Sequence, residues 1–277
     1  MEPKKIIVAL VLLPAFIWLI GWAPLWVLLA VLLVLGAGLG GWESAQIAFG
    51  SDETYYKLLA TVFSIVMALA ASSADADNIC LGLVGVFLVT FLLTGLFSAD
   101  LSLVLPRTAK VMFVAIYPGL LAGYLVALKN LELYSDDAKL LLILFALVWI
   151  NDSGAYFAGK SLGKHKMSPR LSPNKTWEGA VGGFAATVLL GVLIGAFVGA
   201  FTVVEGVLLG VILGVAGPLG DLMESAIKRG ANIKDSGTLL PGHGGVLDRI
   251  DSVLVCAPIL YYYIVFRATH NLLSLVE

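Results

Sequence analysis

Apolar positions in this chain run in long unbroken blocks instead of alternating with polar ones, and each block approaches the length that a bilayer requires. Candidate spans fall at about 5–21, 23–41, 56–74, 79–97, 110–128, 138–158, 177–200, 203–223 and 251–268. The first two are joined so tightly that they read as a hairpin. The links SADADN (73–78) and LYSDDAK (133–139) are short and acidic, and Glu205 marks the turn after the seventh block. The pattern predicts an all-α polytopic membrane protein of about nine transmembrane helices, with a polar site at the cytoplasmic membrane face. It divides the chain into an N-terminal set of about five spans over 1–137 and a C-terminal region of about four spans over 138–277, the latter with two polar loops.

Composition removes the soluble alternative. Of 277 residues, 60% are hydrophobic and only 13% are charged, more apolar area than a soluble surface could hide. A net charge of −2 gives no pointer to nucleic acid, and no nucleic-acid partner is expected. Cys80 and Cys256 sit within apolar runs and read as buried thiols, not as a disulfide. Lys4 and Lys5 followed by an apolar run resemble the start of a signal peptide. No small-x-small cleavage site precedes Trp22 and Trp26, so the expectation is a retained first span. With a cytoplasmic N-terminus, nine spans put every Lys and Arg inside except Lys129, Lys139 and Arg267.

That parity brings the unusual polar residues to one membrane face. Asp152 lies near the inner end of span six, and the loop from Lys160 to Lys175 follows it. Asp221 and Glu224 close span eight, and Asp248 to Asp251 open span nine. In spans seven and eight, Gly179, Gly183, Thr187, Gly191, Gly195 and Gly199 recur every four residues, as do Gly206, Gly210 and Gly214. Small residues at this spacing make a flat helix face that lets backbones approach closely in lipid. The chain shows no repeat of two similar halves of the kind many transporters carry.

The chemistry concentrates between Ser225 and Asp251. This stretch holds Lys228, Arg229, Lys234, Asp235, His243, Asp248, Arg249 and Asp251, broken by glycines and bent at Pro241. Asp248 and Asp251 lie three apart on a helix and share a face, with Arg249 turned away; Asp221 and Ser225 share a face on the preceding helix. Two acid-bearing helix ends suit Mg²⁺, which takes one or two carboxylates plus phosphate oxygens. The same acids would also serve as salt-bridge partners of Arg249 or Lys228. Gly244 and Gly245 allow a backbone to approach an anion at the start of span nine, although most glycine-rich loops are plain turns. His243 has no Cys partner or second nearby His, which argues against zinc. In the upstream loop, Pro173 fits a turn, Thr176 fits an N-cap, and Trp177 fits an interfacial anchor. Lys175, at that helix start, could grip a phosphate; Lys160 to Lys166 suit anionic headgroups. The letters at 154–161 (GAYFAGKS) and at 159–163 (GKSLG) match GxxxxGK[ST] and GxSxG, so these strings exclude neither P-loop NTPases nor serine hydrolases; no HExxH pair is present, which excludes a zincin of the usual kind.

The order Ser-x-Ile-Lys-Arg, four residues, Lys-Asp, then Pro-x-His-Gly-Gly-Val-x-Asp-Arg-Ile-Asp resembles the signature of the phosphatidate cytidylyltransferases, or CDP-diglyceride synthases. The segment from Asn151 to Gly179, with NDSGAY and LSPNKTWEG, resembles the same family. The likeness covers roughly the C-terminal half; the first 140 residues or so share only hydrophobic spans. It implies conversion of CTP and phosphatidate to CDP-diacylglycerol and pyrophosphate in the plasma (inner) membrane, with the active site facing the cytoplasm. It implies catalytic roles for Asp221, Lys228, Arg229, Lys234, Asp248 and Arg249, and Mg²⁺ on Asp221, Asp248 and Asp251. Substrate binding would fall to Asp152, Ser172, Asn174, Lys175, Ser225, Asp235, His243, Gly244 and Gly245. A second, monovalent cation and a homodimer stay open, as do an anionic-solute transporter and a CTP-dependent polyprenol or phytol kinase.

Overall fold

The computed structural model describes residues 33–51, 53–131, 138–198, 201–239 and 244–273, with a few isolated positions before residue 33. Among these residues seven helices are long and apolar enough to cross a membrane: Thr54–Ser72, Ala76–Phe97, Leu101–Lys129, Leu140–Leu162, Trp177–Phe197, Val203–Gly230 and Leu247–Thr269. Each overlaps an expected span. The expected count of nine is therefore not reproduced; the first two spans, apart from 33–41, lie outside the described residues. The second also ends later than expected, because a π-helical stretch Leu33–Gly40 runs directly into α1, Gly41–Phe49.

The chain divides into two compact units. One draws on Met1–Ala138 and Asp235–Ile250, the other on Lys139–Lys234 and Asp251–Glu277. The first contains α1, α2 (Thr54–Ser72), α3 (Ala76–Phe97), α4 (Val104–Val114) and α5 (Leu121–Lys129). The last two form one span through a π-helical turn, Ala115–Leu120, that contains Pro118. Proline lacks the N–H that a regular helix needs, and a wider turn absorbs the missing bond. Beyond the turn, α2 lies so close that a Cβ at Gly123 would stand 2.5 Å from the Ala68 carbonyl oxygen. Ser64 on α2 donates to the Ala37 carbonyl at 2.8 Å, and Thr94 and Thr108 hydroxyls meet at 3.0 Å. At a helix end, Arg107 Nε pairs with Glu53 Oε1 at 2.6 Å while its guanidinium lies 4.6 Å from the Tyr56 ring centroid. Polar pairs of this sort and small-residue contacts are the available glue where lipid is as apolar as the core.

The second unit contains α6 (Ala138–Leu162), α7 (Trp177–Phe197), α8 (Val203–Gly230) and most of α9 (Leu247–Leu273). The basic loop after α6 is more ordered than expected. Strands β1 (Lys166–Ser168) and β2 (Ser172–Thr176) pair antiparallel, a two-stranded sheet among largely helical described residues. Thr176 caps α7 as expected, accepting from Gly179 N at 3.1 Å. Thr202 and Glu205 form a capping box at the start of α8.

The small-residue stripe divides its work between two neighbours. Its first part faces α6: a Cβ at Gly179 would meet the Ala155 carbonyl at 2.8 Å, and one at Gly183 the Asn151 carbonyl at 2.7 Å. Its second part faces α8, where Gly191 and Gly206 touch backbone to backbone and a Cβ at Gly210 would lie 2.7 Å from Val188 Cα. Asn151 joins all three helices, donating to Thr187 Oγ1 at 2.9 Å and to the Gly214 carbonyl at 3.1 Å. The cysteine expectation holds only in part. Cys256 is buried, but Cys80 lies on an outward face of α3 and is exposed; both are free thiols.

Candidate active site

In the second unit the polar residues gather where α7 begins and α8 ends. The hairpin is tied to α7 by Glu178, which accepts from Lys164 N and His165 N at 3.1 and 3.2 Å and contacts His165 Nδ1 at 2.6 Å. It is tied to the end of α8 by Arg229, whose Nε donates to the Leu171 carbonyl at 3.2 Å and whose Nη1 donates to the Ile233 carbonyl at 2.9 Å. Arg229, for which the resemblance implies a catalytic role, also braces two turns.

The hairpin carries Lys175 to Asp221, where Nζ meets Oδ2 at 2.6 Å. Ser225, one turn along α8, donates to Asp221 Oδ1 at 3.3 Å. Asp221 in turn acts electrostatically on Asp152 of α6 and on Asp251 of α9, so three helices bring a carboxylate into one field. Lys228 is buried against Glu224, Nζ to Oε2 2.8 Å, the intrahelical pair that i,i+4 spacing allows. Asn174 and Lys234 are exposed and Ser172 is half-buried.

The first unit holds the other half of the expected list. Asp248 Oδ2 accepts from Ser236 N at 3.0 Å, Ser236 Oγ at 3.1 Å and Gly245 N at 2.8 Å. The Gly245 amide expected to face a phosphate is therefore already engaged by a carboxylate. Gly244 has φ +77°, a left-handed conformation that explains glycine there. Asp235 and Arg249 are exposed, and His243 lies outside the described residues.

Two residues absent from the sequence-based set now stand out. Glu43 of α1 is only 6% exposed and accepts from Ser236 Oγ, Val246 N and Leu247 N, each at 2.9 Å. Asn151 holds α6, α7 and α8 together beside Asp152. Glu43 had a signal: it is the first charged residue after Lys5, and an acid at the end of so long an apolar run is costly unless it is used.

Among the described residues, no group of three or more His, Cys, Asp or Glu is drawn together closely enough to hold a metal ion unaided. Mg²⁺ does not need one, since it keeps several waters and takes its remaining oxygens from substrate phosphates. Asp221 and Asp251 are hard-oxygen donors on adjacent elements of one unit, and their donor chemistry fits that ion.

The cytidylyltransferase family model matches residues 3–267. The chain belongs to the cytidylyltransferase family. It is 40% identical over 191 residues to a phosphatidate cytidylyltransferase of Bacillus subtilis (strain 168), covering 68% of this chain and 70% of the relative. It is 46% identical over 136 residues to one from Brucella abortus biovar 1 (strain 9-941), covering 49% of this chain and 50% of the relative. A Haemophilus influenzae relative of the same name is 40% identical over 146 residues, covering 50% and 51%. The chain thus spans about half the length of the latter two. For a member of this family, the Lys175–Asp221 pair and the Ser225 to Asp251 stretch are the residues to explain.

Proposed function

We propose that this chain transfers the cytidylyl group of CTP to phosphatidate, releasing pyrophosphate and forming CDP-diacylglycerol. The observation that carries the reading is the ion pair of Asp221 with Lys175 on the basic hairpin, within electrostatic reach of Asp152 and Asp251, in a chain of this family. The relatives' name favours it over an anionic-solute transporter and over a polyprenol or phytol kinase.

The chemistry asks for little covalent help. A phosphatidate oxygen, already ionised at neutral pH, attacks the α-phosphorus of CTP. The bond from that phosphorus to the bridging oxygen breaks, and pyrophosphate leaves with the electron pair. No general base is required; the barrier is the approach of two polyanions and the charge gained by the leaving group. Lys175, Lys228, Arg229, Lys234 and Arg249 are proposed to offset that charge. Mg²⁺, with Asp221, Asp248 and Asp251 as proposed ligands, would supply charge neutralisation and orientation of phosphate oxygens. A homodimer and a monovalent cation rest on the resemblance alone.

Purified protein in uncharged detergent is expected to release pyrophosphate from CTP only when phosphatidate and Mg²⁺ are both present; release without phosphatidate, or none with all three, removes the reading. In the same assay Arg249→Lys keeps the charge but loses the planar fork. It should cost about 2–4 kcal/mol of transition-state stabilisation, the scale of one preorganised donor. Lys160, which stands 5.7 Å from the Tyr156 ring centroid, contributes diffuse charge, and Lys160→Gln should leave kcat/KM for CTP nearly unchanged. Equal losses would mean that unshaped positive charge suffices.

The site is proposed to face the cytoplasm at the plasma membrane, where CTP arrives from water and phosphatidate from the leaflet. Single cysteines at Lys166 and Thr202 should be labelled from opposite sides of sealed inverted vesicles, Lys166 from the cytoplasmic side. Labelling of both from one side would break the topology.

A further inference from the structure

We propose that Glu43 is a positioning residue for the transfer reaction: it holds the turn at Ser236 and the start of α9 in the one arrangement that presents Asp248 and Arg249 for use. The inference rests on the cytidylyltransferase reading and gives the N-terminal unit a part in it.

A carboxylate as buried as Glu43 persists only where hydrogen bonds replace its water. Both oxygens are used. Oε1 accepts from Val246 N at 2.9 Å, and Oε2 accepts from Leu247 N and Ser236 Oγ at 2.9 Å each. Val246 immediately precedes α9 and Leu247 begins it; amides at a helix start have no partner within the helix, and a negative charge there is favoured by the helix dipole. Glu43 reaches this turn across 203 and 204 residues of sequence, so it is a tertiary clamp and not a local cap.

The clamp is coupled to Asp248. The Ser236 hydroxyl lies between the two carboxylates, 2.9 Å from Glu43 Oε2 and 3.1 Å from Asp248 Oδ2, and shares one proton between them. The Ser236 and Gly245 amides complete the hold on Asp248. Space around Glu43 is closed by two glycines: a Cβ at Gly237 would stand 2.5 Å from Glu43 Oε1, and one at Gly245 would overlap the same carboxylate. Both glycines admit a protein carboxylate, and Gly245 does so at a position where the sequence suggested access for an anion. A turn fixed in this way holds Asp248 and Arg249 where charge develops in the transition state, and preorganisation toward that charge acts on turnover.

The test uses the full-length chain in uncharged detergent. Glu43→Gln keeps the volume but aims an NH₂ donor at groups that are themselves donors. Hydrogen exchange of the Val246 and Leu247 amides, read without CTP or Mg²⁺, should become about ten-fold faster or more as the segment opens locally. In the pyrophosphate assay kcat should fall about 10–100-fold, the range seen on removing a partner behind a site ligand. KM for CTP should stay within about three-fold, because the loss is confined to turnover. Glu43→Asp, whose shorter arm keeps the charge, should restore part of both. Gly237→Ala retains the carboxylate and displaces it; if Glu43→Gln fails to fold, this variant decides, with faster exchange and lower kcat expected together. Wild-type kcat in Glu43→Gln, unchanged exchange, or an unaltered Gly237→Ala overturns the proposal. A wild-type protein that releases no pyrophosphate sinks the enzymatic reading instead, while the exchange measurement still reports on the clamp.

Discussion

Replacing Asp221 with Asn should remove pyrophosphate release almost completely while the protein still inserts, purifies and melts close to wild type. Asp221 is the acid on which the second unit's polar contacts converge: Lys175 Nζ stands 2.6 Å from one oxygen, Ser225 Oγ 3.3 Å from the other, and Asp152 and Asp251 feel its charge. The Lys175 side chain is 24% exposed, so neutralising Asp221 leaves no fully buried cation stranded, and the fold should tolerate the change. The loss should be about 10²–10³-fold in kcat or larger, because an electrostatic group aimed at developing charge is removed outright. Raising Mg²⁺ should not recover it. Near-normal turnover at saturating Mg²⁺ would end the assignment of Asp221. Asp248→Asn should be comparably inactive for a mixed reason, since Oδ2 also organises Ser236 and Gly245. Asp251→Asn should cost less than either if Asp251 orients a neighbour.

Gly206→Leu is expected to prevent assembly of the second unit. At this crossing the backbones of α7 and α8 touch, and a Cβ on Gly206 would coincide with the Gly191 carbonyl. Backbone cannot yield as a flexible side chain can, so the helices must separate and lose the packing that replaces a hydrophobic driving force in lipid. We expect at least about 1–3 kcal/mol of destabilisation, the cost of overpacking a tight contact. It should be read as a lower melting temperature and a loss of the monodisperse peak on size-exclusion chromatography. Gly85→Leu on α3, where nothing lies within 4 Å, is the matched control and should behave as wild type. Equal behaviour of the two variants would show that the crossing contributes nothing.

Much of this protein was legible in its sequence because the bilayer imposes a local rule. Backbone polar groups must be satisfied within each span, so a long apolar run becomes a helix whatever surrounds it. For that reason the runs expected at 56–74 and 79–97 appear as Thr54–Ser72 and Ala76–Phe97. Local chemistry also sufficed for the Thr176 cap, which needs only a hydroxyl three residues before an amide. The stripe from Gly179 to Gly195 could be read as a packing face, because helix geometry alone puts every fourth residue on one side.

Lateral arrangement obeys no such rule. The sequence could not say that the stripe would serve α6 first and α8 afterwards, because that depends on which surfaces fit once the helices are side by side. It could not pair Lys175 with Asp221, nor tie Arg229 to the Leu171 carbonyl, since both follow from where the hairpin docks. Above all it gave no route from Glu43 to Val246 and Leu247. A hydrogen bond across some two hundred residues leaves no periodicity in a chain, and only the folded unit brings its two ends together.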